Sequence, residues 1–392
     1  MRIISARWIA NLTFALLSIL AISSEFSRIA PNDALWDFGS FIASARAARE
    51  GMNPYGVYPL TLHVQMPGFE AWNPNLNPPI SVLLFQVLDT SSPHEVFRIW
   101  RWISVAFYSA AIILLLRRFG GVQAPVMALW AFALAGFWDT LLLGQIYSPL
   151  VFASVAAWLF LEREEPIWAG ILIGLVIAMK PNFLVWPALL FLSGYRRPAM
   201  VATLVAAVVS AIPLAVYGVE IYQRWFELIA SDRARAFFLT NASISGLAIR
   251  AGMPSLGLIL SVALLIGLAL WAFRKKPNAV SASRMALCAA VLASPLGWIH
   301  YTLFLLPVFF ERWEKFAMRI VALLLIIPVP YVIAQFGRPA WIQLSIGSVY
   351  GWALVFCFLS LCADEWDQKN VITRRLAEHD PRARRGANRV SG

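Results

Sequence analysis

Long apolar runs separated by short polar or basic segments repeat from the start of the chain to near its end. A helix needs about 20 apolar residues to cross the hydrocarbon core of a bilayer, and it satisfies its backbone hydrogen bonds internally there. The pattern therefore predicts an all-α polytopic membrane protein of about twelve transmembrane helices, several of them short and therefore tilted or broken. The predicted spans are residues 8–24, 99–116, 124–138, 146–161, 167–180, 182–194, 199–218, 255–273, 283–297, 300–311, 316–334 and 341–362.

The composition supports a membrane protein. Sixty per cent of the residues are hydrophobic and only 14% are charged, whereas a soluble domain carries about 25% charged residues. The net charge of +11 does not indicate nucleic-acid binding, because the basic residues cluster at the ends of apolar runs. Such clusters set topology and contact lipid headgroups, and no nucleic-acid-binding motif is present. Three cysteines without metal spacing, Cys288, Cys357 and Cys362, are interpreted as small core residues.

The basic clusters also predict the orientation of the chain. Placing the N-terminus inside puts most short basic segments on the cytoplasmic side, as the positive-inside rule requires. We predict one membrane domain over residues 1–362, with two large outward loops at 25–98 and 219–254. The polar, basic tail at 363–392 is expected to be cytoplasmic and disordered.

The same orientation gathers most unusual polar residues on the outer face. Four short outward turns centre on Gly144-Gln145, Lys180-Pro181, Trp298-Ile299-His300 and Gly337-Arg338. Polar residues at such positions commonly mark a functional site in a membrane protein. We therefore expect the function to reside on the outer face.

Two apolar pieces interrupt the first outward loop. Phe38, Phe41, Ile42 and Ala45 recur at helical spacing, which predicts an amphipathic helix lying flat at the membrane interface. The piece at 80–88 follows two prolines, and as a helix it covers about 14 Å, too little to span. It is predicted to be a second interfacial or re-entrant helix.

Asp37 is the leading candidate for catalysis in the first loop. A carboxylate held near an apolar surface can act as a general base if it faces a substrate hydroxyl. Alternatively, Asp37 caps the helix that follows it, which would keep its pKa low. Asp33, a second carboxylate nearby, is a further candidate for the same role.

Two side chains at outward span ends could contact an anion. His300 is either a structural residue or a hydrogen-bond donor to an anionic headgroup. Lys180 either extends its ammonium to the interface or points into a polar cavity, where it would bind a phosphate. Arg250 and Arg338 are similar candidates.

Gln145, Asn241 and Ser243 are polar side chains near outward turns and are further candidates for substrate binding. The histidine and cysteine content argues against a zinc site, and we expect neither a metal nor a cofactor. The sequence contains no P-loop, no dinucleotide-binding glycine fingerprint and no Asp-x-Asp pair. ATP-driven transport and nucleotide-sugar chemistry are therefore disfavoured.

Several short motifs occur in order between about residue 30 and residue 310. They are Asp37-Phe38-Gly39-Ser40-Phe41, Gly51-Met52-Asn53-Pro54-Tyr55, Asn77-Pro78-Pro79, Gly144-Gln145, Ala169-Gly170 through Lys180-Pro181, Asn241-Ala242-Ser243-Ile244-Ser245-Gly246, and Ser294-Pro295 through Trp298 and His300. No single motif is specific, but their order and their shared outward placement are specific. Together they resemble glycosyltransferase family 87, a group of membrane enzymes in the GT-C superfamily.

The resemblance implies a GT-C-like helical bundle that transfers a hexose, mainly mannose, from a polyprenyl-phosphate sugar to a lipid or glycan. It implies that Asp37 is the catalytic base and that His300 lies near the donor phosphate. Tyr55 and Asn77, which lie in matching pieces, join the substrate-binding candidates. Many members have two histidines where this chain has His300-Tyr301, so a second histidine has no counterpart here. The implied location is a bacterial inner membrane, with the site facing the periplasm or exterior.

This chemistry suits an outward-facing site. Nucleotide sugars are not expected outside the cytoplasm, so the activated sugar must arrive on a lipid. Its leaving group is already a phosphate anion, which removes the need for the acid of a glycosidase carboxyl pair. One base for the acceptor hydroxyl and cations such as Lys180, His300 and Arg250 for the phosphate would suffice. Direct displacement of this kind inverts the anomeric centre.

Two other functions fit a polytopic protein. A transporter or lipid flippase would place ionisable residues deep within spans and often contains an internal repeat. We find no clear repeat, and mid-span positions are almost wholly apolar. A non-catalytic scaffold is the third possibility, and it would tolerate a substitution at Asp37.

Overall fold

The computed structural model describes residues 2–67, 69–89, 92–231 and 234–379. The structure is 76% helical, in agreement with the predicted all-α class. The helices of the described chain up to residue 217 are α1 Arg2–Ile29, α2 Trp36–Arg49, α3 Ile80–Leu88, α4 Pro93–Leu115, α5 Ala124–Ala133, α6 Ala135–Leu143, α7 Tyr147–Glu162, α8 Pro166–Met179, α9 Val185–Leu192 and α10 Arg196–Tyr217. Those that follow are α11 Glu220–Ser231, α12 Ile244–Arg250, α13 Pro254–Lys275, α14 Ala279–Leu292, α15 Leu306–Glu311, α16 Phe316–Leu324, α17 Val329–Ile333, α18 Ala340–Leu344 and α19 Val349–His379.

Five helical segments of the described chain are long and apolar enough to cross a membrane. Large apolar side chains on them face outward, including Leu258, which is 67% exposed, and Met200, which is 64% exposed. Surfaces of this kind are stable against lipid and unfavourable in water. The chain is therefore an integral membrane protein, although these five segments do not establish the predicted number of twelve. The segments are Trp8–Ile29, Pro93–Ala133, Arg196–Tyr217, Pro254–Lys275 and Ala340–Trp366.

The segment Pro93–Ala133 contains two helices that fold back on each other. The hydroxyl of Tyr108 donates a hydrogen bond of 2.6 Å to the carbonyl of Ala131. In one straight helix these residues would lie about 34 Å apart along the axis. A π-helical turn at Leu116–Gly120 and a positive φ of 47° at Gly121 reverse the chain. The two spans predicted in this region therefore correspond to two separate helices.

Prolines and 3-10 turns interrupt the predicted spans near the end of the chain. The span predicted at 316–334 is broken at Pro328, which has no amide hydrogen to continue a helix. The span predicted at 300–311 begins as the 3-10 helix Ile299–Leu305 before α15. Helix α19 continues into the tail that we expected to be disordered, and residues 380–392 lie outside the described chain.

The helix predicted to lie flat at the interface is instead enclosed by protein. Both faces of α2 are buried, because its polar positions also have partners within the fold. The hydroxyl of Ser40 accepts a hydrogen bond from the amide of Leu62, and that of Ser44 accepts one from the side chain of Asn75. Helix α3 has the predicted bounds, and its Val87 is 75% exposed.

A two-stranded antiparallel hairpin follows α2, in a region where we predicted only helices and loops. Strand β1 is Leu62–Met66 and strand β2 is Phe69–Asn73. Leu62 pairs with Asn73, and Met66 pairs with Phe69. Because side chains alternate between the two faces of a strand, one face carries Leu62, Val64, Met66, Phe69, Ala71 and Asn73. That face closes one side of the cavity described next.

Candidate active site

A cavity of about 480 Å³ lies between the first loop and the ends of several helices. Five of the predicted candidates line this one cavity. Asp37 lies in α2, Asn77 before α3, Gln145 in the turn after α6, Lys180 in the turn after α8, and His300 in the 3-10 helix that precedes α15. Most of the remaining wall is apolar and includes Leu142, Leu143, Met179, Val329 and Ile333.

Asp37 is buried at the start of α2 and accepts two side-chain hydrogen bonds. The amide of Asn73 donates to Oδ1 at 2.5 Å, and the amide of Gln145 donates to Oδ2 at 2.5 Å. Leu35 occupies the N-cap position of α2, and no side chain caps the helix. The alternative in which Asp37 serves as a helix cap is therefore wrong. Each carboxylate oxygen keeps a second lone pair that can accept a proton.

Burial raises the pKa of Asp37 to about 6, since a carboxylate loses hydration inside the protein. The bonds from Gln145 and Asn73 oppose this rise, because they stabilise the ionised form. Arg235 donates in turn to the side-chain oxygen of Asn73 and to the carbonyl of Trp72. Asp37 is therefore held at both oxygens and ionises close to neutral pH, as a general base requires.

The residue before Asp37 has an unusual backbone conformation. Trp36 has a φ of 47°, in the left-handed region that a bulky residue seldom adopts. Its indole donates a hydrogen bond of 3.1 Å to the side chain of Asn32. Strain of this kind commonly occurs at functional sites.

Lys180 reaches into the cavity and does not extend to the membrane surface. Its side chain is buried, and its Nζ donates a hydrogen bond of 2.7 Å to Oδ1 of Asn77. The same nitrogen lies 4.4 Å from the ring centroid of Tyr147 and 5.4 Å from that of Tyr301. Aromatic faces and one amide oxygen stabilise the ammonium only in part. It remains available to an anion in the cavity.

His300 is buried beside the carboxylate of Asp139, which was not among the residues predicted from the sequence. Its Nδ1 lies 3.2 Å from Oδ2 of Asp139, and its ring lies against Tyr147 at a centroid distance of 4.2 Å. Asp139 belongs to α6 and also lines the cavity. The signal was an acidic residue within the apolar run Phe137 to Leu143. Such a residue needs a partner in a membrane protein.

Gln145 is placed by the glycine before it. Gly144 ends α6 with a φ of 70°, a conformation that only glycine adopts freely. A Cβ at this position would lie 2.6 Å from Cβ of Phe38 and 2.6 Å from a ring carbon of Phe97. The close approach of this turn to α2 therefore brings the Gln145 amide to Asp37.

Gly144→Ala is expected to destabilise the protein by about 2–5 kcal/mol, from left-handed backbone strain and overpacking. Gly51→Ala is the matched control, because Gly51 has the same φ of 70° and nothing within 4 Å of an added Cβ. Denaturant unfolding in detergent micelles measures both variants. Equal losses at the two positions would contradict the packing argument.

Asn241, Ser243 and Arg250, predicted to bind substrate, do not line the cavity. Asn241 donates to the carbonyl of Pro295 and accepts from the amide of Gly297, so it fixes the loop before His300. Ser243 caps α12 through the amide of Gly246. Arg250 donates to Ser348 and to the carbonyls of Phe238 and Asn241. These side chains hold the wall of the cavity.

Of the remaining candidates, one lines the cavity and the others do not. Asn77 lines the cavity beside Lys180, whereas Tyr55 lies behind the wall and donates to the carbonyl of Asn77 at 3.2 Å. Asp33 and Arg338 are exposed and are not part of the cavity lining. Among the described residues, no three histidine, cysteine or acidic side chains are grouped as a metal site requires.

The geometry suits one kind of chemistry. A buried carboxylate that ionises near neutral pH can remove a proton from a hydroxyl. Lys180 and His300 supply cationic or hydrogen-bonding groups in the same cavity, where they can stabilise a departing anion. The apolar wall can accommodate a hydrocarbon chain. Two substrates, one with a hydroxyl and one with an anionic leaving group on a lipid, fit this arrangement.

Comparison with known protein families identifies a matching family model. The family model of glycosyltransferase family 87 matches residues 75–295, which is more than half of the chain. The match includes Asn77, Asp139, Gln145 and Lys180, and it ends just before His300. No curated protein and no solved structure matches the chain.

Proposed function

This chain belongs to glycosyltransferase family 87 and is therefore a sugar-transferring membrane enzyme, and we propose that its donor is a polyprenyl-phosphate hexose. The acceptor is a lipid or a glycan, and mannose is the first sugar to test. The site faces the periplasm or exterior of a bacterial inner membrane.

One observation carries this proposal. Asp37, Lys180 and His300, contributed by three separate segments, line one cavity whose other walls are mainly apolar. Asp37 takes the proton of the acceptor hydroxyl while the acceptor oxygen bonds to the anomeric carbon. The bond from that carbon to the phosphate oxygen breaks, and its electron pair leaves with the polyprenyl phosphate. Attack opposite to the leaving group inverts the anomeric centre.

Lys180 and His300 stabilise the phosphate as its negative charge increases. Groups that interact more strongly with the departing phosphate than with the bound donor accelerate the reaction. The apolar wall formed by Leu142, Met179 and Ile333 lies beside these groups. It suits the polyprenyl chain next to the phosphate, and no group of the protein needs to protonate the leaving group.

A transfer assay tests the donor class. Purified protein in lipid nanodiscs is incubated with radiolabelled polyprenyl-phosphate-mannose and a membrane lipid extract. We expect a labelled lipid or glycan product. Parallel reactions receive polyprenyl-phosphate-glucose or GDP-mannose, and empty nanodiscs serve as the blank. Transfer from GDP-mannose without a lipid-linked donor, or no transfer from either lipid-linked sugar, would overturn the proposal.

A further inference from the structure

Asp139 and His300 form a buried pair of ionisable side chains, and both residues line the cavity. Oδ2 of Asp139 lies 3.2 Å from Nδ1 of His300, and both side chains are more than 90% buried. Helix α6 supplies the carboxylate, and the 3-10 helix Ile299–Leu305 supplies the imidazole. The two residues are 161 positions apart in the chain, so the fold creates this pair.

A glycine allows the backbone of α6 to lie very close to the backbone of residues 299 and 300. A Cβ added at Gly136 would lie 2.8 Å from the carbonyl oxygen of Ile299 and 3.1 Å from Cα of His300. Glycine therefore lets the first turn of α6 pack directly against the backbone of residues 299 and 300. Asp139 is one helical turn after Gly136, on the same side of α6. The close approach thus brings the carboxylate opposite the imidazole.

The other ring nitrogen lacks a partner. Among the described residues, Nε2 of His300 is buried and has no hydrogen-bond partner. A buried polar atom without a partner destabilises a protein, so such atoms are often completed by a ligand. His300 belongs to the lining of the cavity that also contains Lys180. A ligand oxygen near the ring would supply the missing partner.

We propose that Asp139 is a positioning residue that orients His300 so that its Nε2–H donates to the phosphate of the lipid-linked donor. This inference rests on the proposed function. A histidine whose Nδ1–H donates to a carboxylate is fixed in its orientation, and its other nitrogen faces the ligand. Asp139 accepts from Nδ1 while Nε2 serves the phosphate. No proton leaves the pair during sugar transfer.

The charges around the ring explain why a carboxylate is needed. Lys180 lies near enough to repel a charged imidazole, and Tyr147 and Tyr301 supply aromatic contacts without charge. The negative charge of Asp139 offsets the repulsion from Lys180. Burial disfavours the charged forms of both His300 and Lys180 when the cavity holds no anion. A bound phosphate adds negative charge beside both groups and so favours their protonated forms. His300 then donates from Nδ1–H to Asp139 and from Nε2–H to the phosphate, whose charge increases when the sugar leaves.

A double-mutant cycle tests whether Asp139 acts through His300. Wild type, Asp139→Asn, His300→Gln and the double variant are compared in nanodiscs for kcat, for KM of the donor and for Kd of a polyprenyl phosphate. Asp139→Asn is expected to lower kcat about 10–100-fold, and His300→Gln about 10²–10³-fold. The double variant should match His300→Gln, because the carboxylate has nothing left to orient.

The controls separate positioning from folding. Asp89→Asn removes another carboxylate of the described chain, one that pairs with Arg46 at 2.8 Å outside the cavity lining, and it should leave kcat unchanged. If Asp139→Asn does not fold, Asp139→Glu keeps the charge and displaces the carboxylate by one methylene group. Asp139→Glu should lower kcat in a protein that keeps His300, and it should cause no further loss when it is combined with His300→Gln.

Each outcome decides between the two proposals. Losses that multiply in the double variant, or a wild-type kcat in Asp139→Asn, would overturn the positioning role while sugar transfer stands. Coupled losses in polyprenyl-phosphate affinity without any sugar transfer would retain the phosphate site and overturn the proposed reaction. A wild-type protein that neither transfers sugar nor binds polyprenyl phosphate would overturn both.

Discussion

Asp37→Asn is expected to lower kcat for sugar transfer by about 10²–10⁴-fold, the range lost when a general base is removed. Asparagine has nearly the same shape as aspartate, so its oxygen can still accept from Asn73, whose amide is fixed by Arg235. The contact with Gln145 is kept if the Gln145 amide rotates so that its oxygen accepts from the new NH2 group. The protein should therefore fold and bind donor normally. Initial rates with labelled donor in nanodiscs measure the loss.

Asp33→Asn is the matched control for this variant. It removes a neighbouring carboxylate of the same loop that is exposed and absent from the cavity lining. It should retain wild-type activity. A transfer rate in Asp37→Asn within a few fold of wild type would reject Asp37 as the base, and a large loss in Asp33→Asn would assign the role to the other carboxylate.

The pH dependence of the wild-type rate gives an independent measurement of the same group. The pKa of Asp37 is raised to about 6 by burial, so the carboxylate is mostly ionised at pH 7 and mostly protonated at pH 5. Because the base must be ionised to act, kcat/KM should fall about tenfold per pH unit below 6. Gln145→Ala removes a hydrogen bond that stabilises the ionised carboxylate of Asp37. The fall in kcat/KM at acidic pH should therefore begin at a higher pH in this variant.

The main elements of the cavity could be predicted because the candidates lie near the ends of predicted spans. The basic clusters predict one orientation, and the predicted spans give an even number of crossings between Asp37, Gln145, Lys180 and His300, so all four are expected on one side. Charge placement and helix length are local properties that can be read from the sequence. They bring these residues to one face without any knowledge of packing.

The partners of the candidates could not be predicted in the same way. Asp139 meets His300, and Arg235 meets Asn73, across more than 150 residues of chain. No periodicity encodes such a pairing, which depends on how the helices pack. The hairpin did carry a local signal, because the side chains of residues 62–66 and 69–73 alternate between the hairpin face that lines the cavity and the opposite face of the hairpin.

The roles of polar residues near the cavity also could not be predicted from the sequence. Asn241 and Ser243 were expected to contact substrate, but they hydrogen-bond to the backbone around Pro295 and Gly297. A loop buried near the bilayer must satisfy its own backbone groups, and asparagine and serine are suited to this. The sequence shows that a polar side chain is present, but its direction depends on the fold.

Lys180→Met is expected to lower kcat/KM for the lipid-linked donor by about 10²–10³-fold, as loss of one charge-stabilising group does. Methionine fills a similar volume and removes the cation that contacts Asn77 and Tyr147. The affinity for a polyprenyl phosphate should fall with it. The KM for the acceptor should change little, because the acceptor hydroxyl interacts with Asp37. Steady-state kinetics with each substrate varied in turn separates the two effects.

The stability of this variant distinguishes a binding role from a structural one. A buried cation is costly without a full set of partners, and replacing one by an apolar side chain is often neutral or stabilising. Lys180→Met should therefore unfold at the wild-type temperature or above it while losing activity. Lys276→Met is the control, since Lys276 donates to the carbonyl of Leu192, the last residue of α9, and neither residue lines the cavity. Wild-type donor kinetics in Lys180→Met would remove Lys180 from the phosphate site, whereas a lower unfolding temperature would assign it a structural role.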